Sequence, residues 1–106
     1  MTTVGRPYTA GHWLALPARE DEPVRSWSDF TAWSLQVLAE AQSFVLIRRT
    51  DEPRRFLSFG TWSDADAVSR WRSFDGFQER LGRSRALCEH FEGHDYVLVA
   101  EQRRRR

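Results

Sequence analysis

Two side chains of this sequence, His12 and Trp62, have the chemistry to act on a bound molecule. His12 lies in a predicted strand, on the same side as Leu14 and Leu16, the side that we assign to the helices. Its imidazole can accept a proton near neutral pH, and the Trp62 indole N–H can donate a hydrogen bond to a ligand oxygen. Each also has an ordinary alternative role, because a core histidine can be satisfied by a hydroxyl or carbonyl and a tryptophan at a strand end often fills a core.

The other candidate binding-site residues are five aromatic side chains, one serine and one arginine. Such rings can line an apolar ligand cavity, and in most proteins they simply form the core. The candidates are Trp27, Phe30, Phe44, Ser58, Trp71, Arg72 and Phe74. No metal site is predicted, because His12, His90 and His94 lack the spacing of a helical ligand pair and Cys88 is the only cysteine.

The elements that must position these residues alternate between strand and helix. A strand over residues 8–16 precedes a helix that begins near Pro23 and ends near residue 40. Strands over 41–50 and 56–62 form a hairpin across an Asp-Glu-Pro turn. Ser63 is predicted to cap a second helix, with Asp66 completing a capping box. That helix is interrupted at residues 73–76 and resumes to Cys88, and a last strand covers 96–100.

This order predicts an α+β fold of the ferredoxin-like βαββαβ type. Right-handed connections place four strands in one antiparallel sheet and both helices on one face of it. Both faces of the strands are apolar, since Phe44 and Leu46 alternate with Val45 and Ile47. The chain has no further segment to cover the second face. We therefore predict a homodimer in which two sheets pack face to face.

The composition indicates one globular domain over residues 1–106, with 41% hydrophobic and 13% aromatic residues. Residues 1–7 are predicted to be a loose arm and residues 102–106 a flexible arginine-rich tail. Without that tail, acidic residues outnumber basic ones, which argues against binding to nucleic acid. No segment is apolar enough for a membrane span or signal peptide, so we expect a cytoplasmic protein. The use of Arg without any Lys or Asn is typical of a GC-rich bacterial genome.

Three segments carry a resemblance to a known family. They are GHWLALPAREDE at the end of the first strand, AQSFVLIRRTDEPRRFLSFGTWSDADAVSRWRS through the hairpin and second helix, and the closing YVLVAE. Together, over residues 8–101, they resemble the antibiotic biosynthesis monooxygenases of the dimeric α+β barrel superfamily. The resemblance implies the ferredoxin-like fold and the homodimer.

The resemblance also implies a chemistry. In the oxygenases of this family no metal or flavin is bound, because an electron-rich phenolic substrate reacts with oxygen itself once deprotonated, and the protein supplies a dry aromatic pocket. Trp62 corresponds to the family's tryptophan at the end of the third strand. Ser58 and Val68 stand nearest to the oxygenases' Asn and Tyr, and Arg72 stands where haem-degrading members have a histidine.

These observations lead to one main hypothesis and two alternatives. The first is a cofactor-independent monooxygenase acting on an aromatic or polyketide-type molecule, with His12 as base and Trp62 as hydrogen-bond donor. The second is a non-catalytic dimer that binds an apolar ligand or serves as an interaction module. The third, haem binding, has less support because the family's Asn and His have no counterpart here.

Overall fold

A computed structural model describes residues 4–105 of the chain. The elements follow in the order β1 (Pro7–Ala15), α1 (Glu22–Val37), β2 (Ala41–Arg48), β3 (Arg55–Trp62), α2 (Ala65–Ser73), α3 (Asp75–Ala86) and β4 (Cys88–Val97). The strands form one antiparallel sheet in the order β2-β3-β1-β4. The predicted ferredoxin-like α+β fold is confirmed, and the predicted second helix consists of α2 and α3.

Strand β1 lies in the middle of the sheet and determines which residues face the helices. Its buried positions are Thr9, Gly11, Trp13 and Ala15, and these alternate with more exposed ones. Direct partners across an antiparallel ladder share a face, so Ser58 and Gly60 of β3 lie on the helix side with Gly11 and Thr9. The other side of the sheet has no helix packed on it, and we call it the open face.

Aromatic rings hold the helices to the sheet. Phe30 of α1 stacks on Trp71 of α2, with ring centroids 5.5 Å apart and planes 7° from parallel. Trp71 in turn lies 4.9 Å from Trp62 at the end of β3, measured between centroids. The Trp71 indole N–H donates to the Ser34 hydroxyl at 2.8 Å, and that hydroxyl donates to the Phe30 carbonyl. The core therefore joins α1, α2 and β3 through rings whose polar atoms are satisfied.

The break between α2 and α3 occurs where the sequence predicted it. Phe74 separates the two helices in an extended conformation, with ψ at 138°. The cap of α2 differs from the prediction, because Asp64 and not Ser63 accepts the hydrogen bond from the Asp66 N–H. Aspartate is as effective an N-cap as serine. A helix that begins one residue later therefore uses Asp64 as its cap in place of Ser63.

Strand β4 is the largest departure from the predicted elements. It spans Cys88–Val97, whereas the prediction placed the end of a helix, a turn and a strand over 96–100 there. His90 and His94 consequently lie within a strand and Cys88 begins it. The segment is poor in strand-forming residues, but pairing along nearly all of β1 supplies the stabilisation that its composition does not.

The two ends of the chain fit the prediction only in part. The predicted loose arm lies partly outside the described residues, and its described part is tied down, because Gly5 donates to the Leu98 carbonyl and Leu98 donates to the Arg6 carbonyl. Residues 102–105 are exposed and belong to no helix or strand. Arg106 lies outside the described residues, and the flexibility of the tail remains a prediction.

The buried hydrogen bond between Trp71 and Ser34 provides a test of the core. Replacement of Ser34 by Ala leaves the indole N–H without an acceptor, and we expect the free energy of unfolding to fall by about 1–3 kcal/mol. Urea denaturation at one fixed protein concentration measures this change.

Ser28→Ala is the matched control. Ser28 lies on the same helix and its hydroxyl donates to the Val24 carbonyl, but the side chain is exposed and accepts from no indole. Its replacement should change the free energy of unfolding by less than about 0.5 kcal/mol. Equal losses from both serines would contradict the role assigned to the indole bond.

Candidate functional site

A small cavity of about 80 Å³ lies between the helix side of the sheet and the helices. Six of the seven residues predicted to bind a substrate line this cavity. They are Trp27, Phe30, Phe44, Ser58, Trp71 and Arg72. The seventh, Phe74, does not line the cavity and packs instead against Trp33, with ring centroids 6.1 Å apart. The sequence pattern missed several lining residues, notably Thr9, Trp13, Thr31, Leu81 and Phe91.

Two glycines in neighbouring strands make room for the side chains around this cavity. A Cβ added to Gly60 would lie 2.6 Å from the Thr9 hydroxyl oxygen and 2.8 Å from the Phe44 ring. A Cβ added to Gly11 would lie 2.9 Å from the Ser58 hydroxyl oxygen. These separations are shorter than non-bonded atoms allow, so larger residues would displace the rings and hydroxyls. The glycines therefore shape the floor of the cavity.

The polar groups around the cavity are largely engaged with one another. The Trp13 indole N–H donates to the Ser58 hydroxyl at 3.0 Å, and the Thr31 hydroxyl donates to the Trp27 carbonyl at 2.9 Å. The Ser58 hydroxyl keeps its own proton available for a ligand, because it acts as the acceptor in the bond with Trp13. It is thus a polar group that can orient a bound molecule.

The predicted role of Trp62 does not fit its surroundings. Its side chain is fully buried, and its indole N–H donates to the Thr9 hydroxyl at 3.1 Å. It is absent from the lining of the cavity and supports the lining residues Phe44 and Trp71 from behind. A hydrogen bond from this N–H to a substrate oxygen would require the Thr9 bond to break.

The prediction that His12 shares the helix side of the sheet is wrong. His12 is exposed and lies on the open face, opposite Leu57 of β3 and Glu92 of β4. Because side chains alternate along a strand, an assignment displaced by one residue moves every side chain to the other face. The signal in the sequence was the alternation of Gly11, Trp13 and Ala15, which the apolar Leu14 and Leu16 obscured. The His12 imidazole is therefore separated from the cavity by the sheet.

Arg72 is the cationic side chain in the lining, and its partner is Asp95 on β4. The guanidinium donates two hydrogen bonds to the carboxylate, one of 2.9 Å from Nη1 to Oδ2 and a second from Nη2 to Oδ1. These bonds hold the pKa of Asp95 below its ordinary value, so the carboxylate is ionised at neutral pH. Asp95 was not among the predicted site residues, because this segment was predicted to be a turn.

A cluster of polar side chains lies on the open face, on the other side of the sheet from the cavity. The Glu92 carboxylate is 2.7 Å from Nε2 of His94 and 3.9 Å from Nε2 of His90, and His12 lies directly across the ladder from it. Hydrogen bonding to His94 lowers the pKa of Glu92. Within residues 4–105, no group of three or more His, Cys, Asp or Glu side chains is arranged to hold a metal ion.

The open face itself is apolar and unusually accessible. Val45, Ile47 and Tyr96 are 49%, 47% and 50% exposed, and each lies on this side of the sheet. Two broad grooves cross it, of about 350 and 390 Å³, and both include His12 and Leu57. Both exceed the cavity between sheet and helices in volume. Among the described helices, none is long and apolar enough to cross a membrane.

Comparison with known proteins identifies the fold. No protein-family model and no curated protein matches the sequence. A variant of SnoaB, a cofactor-independent oxygenase from Streptomyces nogalater, matches with a TM-score of 0.80 at 19% identity, covering 93% of this chain and 96% of that one.

Two further structures show the range of similar proteins. A conserved protein from Methanosarcina mazei Go1 matches with a TM-score of 0.79 at 11% identity, covering 91% of this chain and 95% of that one. A candidate antibiotic biosynthesis monooxygenase from Bordetella bronchiseptica matches with a TM-score of 0.77 at 17% identity, covering 91% and 99%. The resemblance seen in the sequence is therefore confirmed for the fold, and this chain has the fold of the antibiotic biosynthesis monooxygenases.

Proposed function

We propose that this chain is a homodimeric, cofactor-independent monooxygenase that oxidises a small aromatic molecule in the cavity between sheet and helices. The observation that carries the proposal is the lining of that cavity, where the rings of Trp13, Trp27, Phe30, Phe44 and Trp71 surround the Ser58 hydroxyl, which accepts from Trp13 and keeps its own proton for a ligand. The fold shared with a cofactor-independent oxygenase supports the same activity.

The reaction needs little from the protein beyond the environment of the cavity. An electron-rich phenol that enters as its phenolate gives electrons to oxygen directly, so that one oxygen atom enters the product and the other takes up the displaced ring proton and one proton from solvent and leaves as water. Rings exclude water from the reacting atoms and stack on an aromatic substrate. The Ser58 hydroxyl can donate to a substrate oxygen, and a hydrogen bond aimed at developing negative charge favours the transition state.

The size of the cavity bears on the choice of substrate. A dry cavity of about 150 Å³ binds benzene in a well-studied case, and the present cavity measures about 80 Å³. A single-ring phenol or hydroquinone is therefore the largest substrate that fits after modest movement of the lining. A polyketide of several rings requires a wider opening between α2 and β4.

The homodimer is the second part of the proposal. An accessible surface formed by Val45, Ile47 and Tyr96 is large and apolar for a monomer, and such surfaces are usually covered by a partner. A second copy related by two-fold symmetry would bring two open faces together at about 10 Å. The Glu92 carboxylate would enter that interface with imidazoles as partners, which reduces the cost of removing it from water.

A non-catalytic, ligand-binding dimer is the alternative that one observation favours. The Trp62 N–H and the Asp95 carboxylate both have internal partners, and His12 lies on the other side of the sheet. With these three groups engaged or on the other face, the cavity can bind an apolar ring whether or not that ring is then oxidised. Tight binding of aromatic compounds without oxygen uptake would support this alternative.

Oxygen consumption in the presence of hydroquinones and anthrones tests the proposed activity. Replacement of Ser58 by Leu places a larger apolar side chain in the cavity and removes the hydroxyl, and we expect the rate to fall by at least about tenfold. An oxygen electrode, with product analysis by mass spectrometry, provides the measurement.

Ser69→Leu makes the same change at an exposed position of α2 and should leave the rate unaltered. Oxygen uptake that is undiminished by Ser58→Leu would place the reaction elsewhere. The absence of oxygen uptake with every compound would remove the oxygenase proposal.

The dimer is tested by adding a charge to the open face. Val45→Arg should convert the dimer into a monomer at micromolar concentration, because an arginine there would be buried opposite apolar side chains. Leu35→Arg, at a position on α1 that is 45% exposed, should leave the dimer intact. Light scattering coupled to size-exclusion chromatography distinguishes these outcomes, and a monomeric wild-type protein would contradict the proposal.

A further inference from the structure

The ion pair between Arg72 and Asp95 joins two elements at the mouth of the cavity. Arg72 is in the last turn of α2, directly after Trp71, which packs into the core. Asp95 is on β4, the edge strand of the sheet. Gly93, two residues earlier on the same side of β4, has no side chain and lies in the cavity lining. The guanidinium therefore bridges the opening between α2 and β4.

The pair is placed between solvent and the ring-lined space. The side chains of Arg72 and Asp95 are 41% and 58% exposed, while the neighbouring Trp71 is buried. A guanidinium binds a carboxylate through two parallel hydrogen bonds, and the contacts between Arg72 and Asp95 have this form. A carboxylate attached to an aromatic ring offers the same two acceptor oxygens, and a phenolate offers one charged oxygen to the same donors.

We infer that Arg72 is the recognition residue for an aromatic oxyanion, and that Asp95 is an internal competitor which occupies its guanidinium when no ligand is bound. The inference rests on the proposed function for the location of the site and specifies its substrate class. That class is a single ring bearing a phenolate or carboxylate, with the ring among Phe30, Phe44 and Trp71 and the oxygen at Arg72.

The charges around the site favour a ligand that arrives as an anion. Asp95 is ionised at neutral pH and Arg72 lowers its pKa further, so it competes at full charge under ordinary conditions. A neutral ring gains nothing from the guanidinium, whereas an anionic ring gains a charge-assisted hydrogen bond there. The imidazole of His94 lies on the open face, where its Nε2 is engaged with Glu92, and so adds no charge on the cavity side.

Removal of the competitor should strengthen binding of anions selectively. We expect Asp95→Asn to raise the affinity for benzoate and for 4-nitrophenolate by about tenfold and to leave the affinity for neutral benzamide nearly unchanged. Arg72→Gln should abolish the preference for the anions. Isothermal titration calorimetry at about pH 8.5, where 4-nitrophenol is ionised, measures all three ligands under the same conditions.

Glu79→Gln is the matched control. It removes the same charge from an exposed ion pair with Arg83 on α3, and should alter no affinity. A difference between benzoate and 4-nitrophenolate in the wild-type protein would identify which oxyanion the site prefers.

Two results would overturn the inference. One is an Asp95→Asn variant that binds the anions no better than the wild-type protein does, or that binds benzamide better by the same factor as the anions. An equal gain for benzamide would mean only that the substitution widens the opening of the cavity. The other is no binding of any of the three compounds by any variant. A ring that binds every variant without preference for charge is the first of these results, and it overturns the inference while leaving the proposed cavity in place. Failure of oxygen uptake would leave the anion preference unaffected.

Discussion

The structure depends on the burial of indole rings whose N–H groups all need acceptors. Trp62 and Trp71 lie side by side in the core, and each donates to a hydroxyl, from Thr9 and Ser34 respectively. An unpaired indole N–H in this position would cost about 1–3 kcal/mol. The two hydroxyls thus fix how β1 and α1 sit against the rings, and the positions of the remaining elements follow from that arrangement.

The same constraint explains why a cavity remains. Large flat rings from both helices and the sheet meet where Gly11 and Gly60 leave the strands without side chains. The rings cannot fill that space completely, because the hydroxyls that satisfy the indoles hold them in place. A core built from hydrogen-bonded rings therefore leaves an apolar space, with the Ser58 hydroxyl facing it and the Arg72 guanidinium at its mouth.

The sequence predicted the fold well where periodicity and local signals agreed. The hairpin of β2 and β3, the break at Phe74 and the apolar open face containing Val45 and Ile47 all follow from patterns of a few residues. Six of the seven predicted binding residues meet in one cavity, and all of them except the exposed Arg72 lie on core-facing sides of their elements. Large rings on buried faces are the residues that such patterns locate best.

The errors in the prediction have one physical origin, which is that pairing between distant strands outweighs local preference. Strand β4 begins at Cys88 because β1 is available to pair with it, and this pairing places Asp95 opposite Arg72. Which side of β1 faces the helices depends on where Trp13 finds packing partners and a hydrogen-bond acceptor, and that acceptor is Ser58. This arrangement places His12 on the open face. Neither outcome can be read from spacing along the chain.

The central claim is that the cavity between sheet and helices binds an aromatic ligand, and the indole N–H signals of the tryptophans report on it directly. In a two-dimensional ¹H–¹⁵N spectrum, addition of a single-ring phenol should shift the signals of Trp13, Trp27 and Trp71, which line the cavity. The signal of Trp33, which packs against Phe74 away from the lining, should stay in place. Shifts confined to backbone amides of the open face, with the three lining indoles unmoved, would contradict the account.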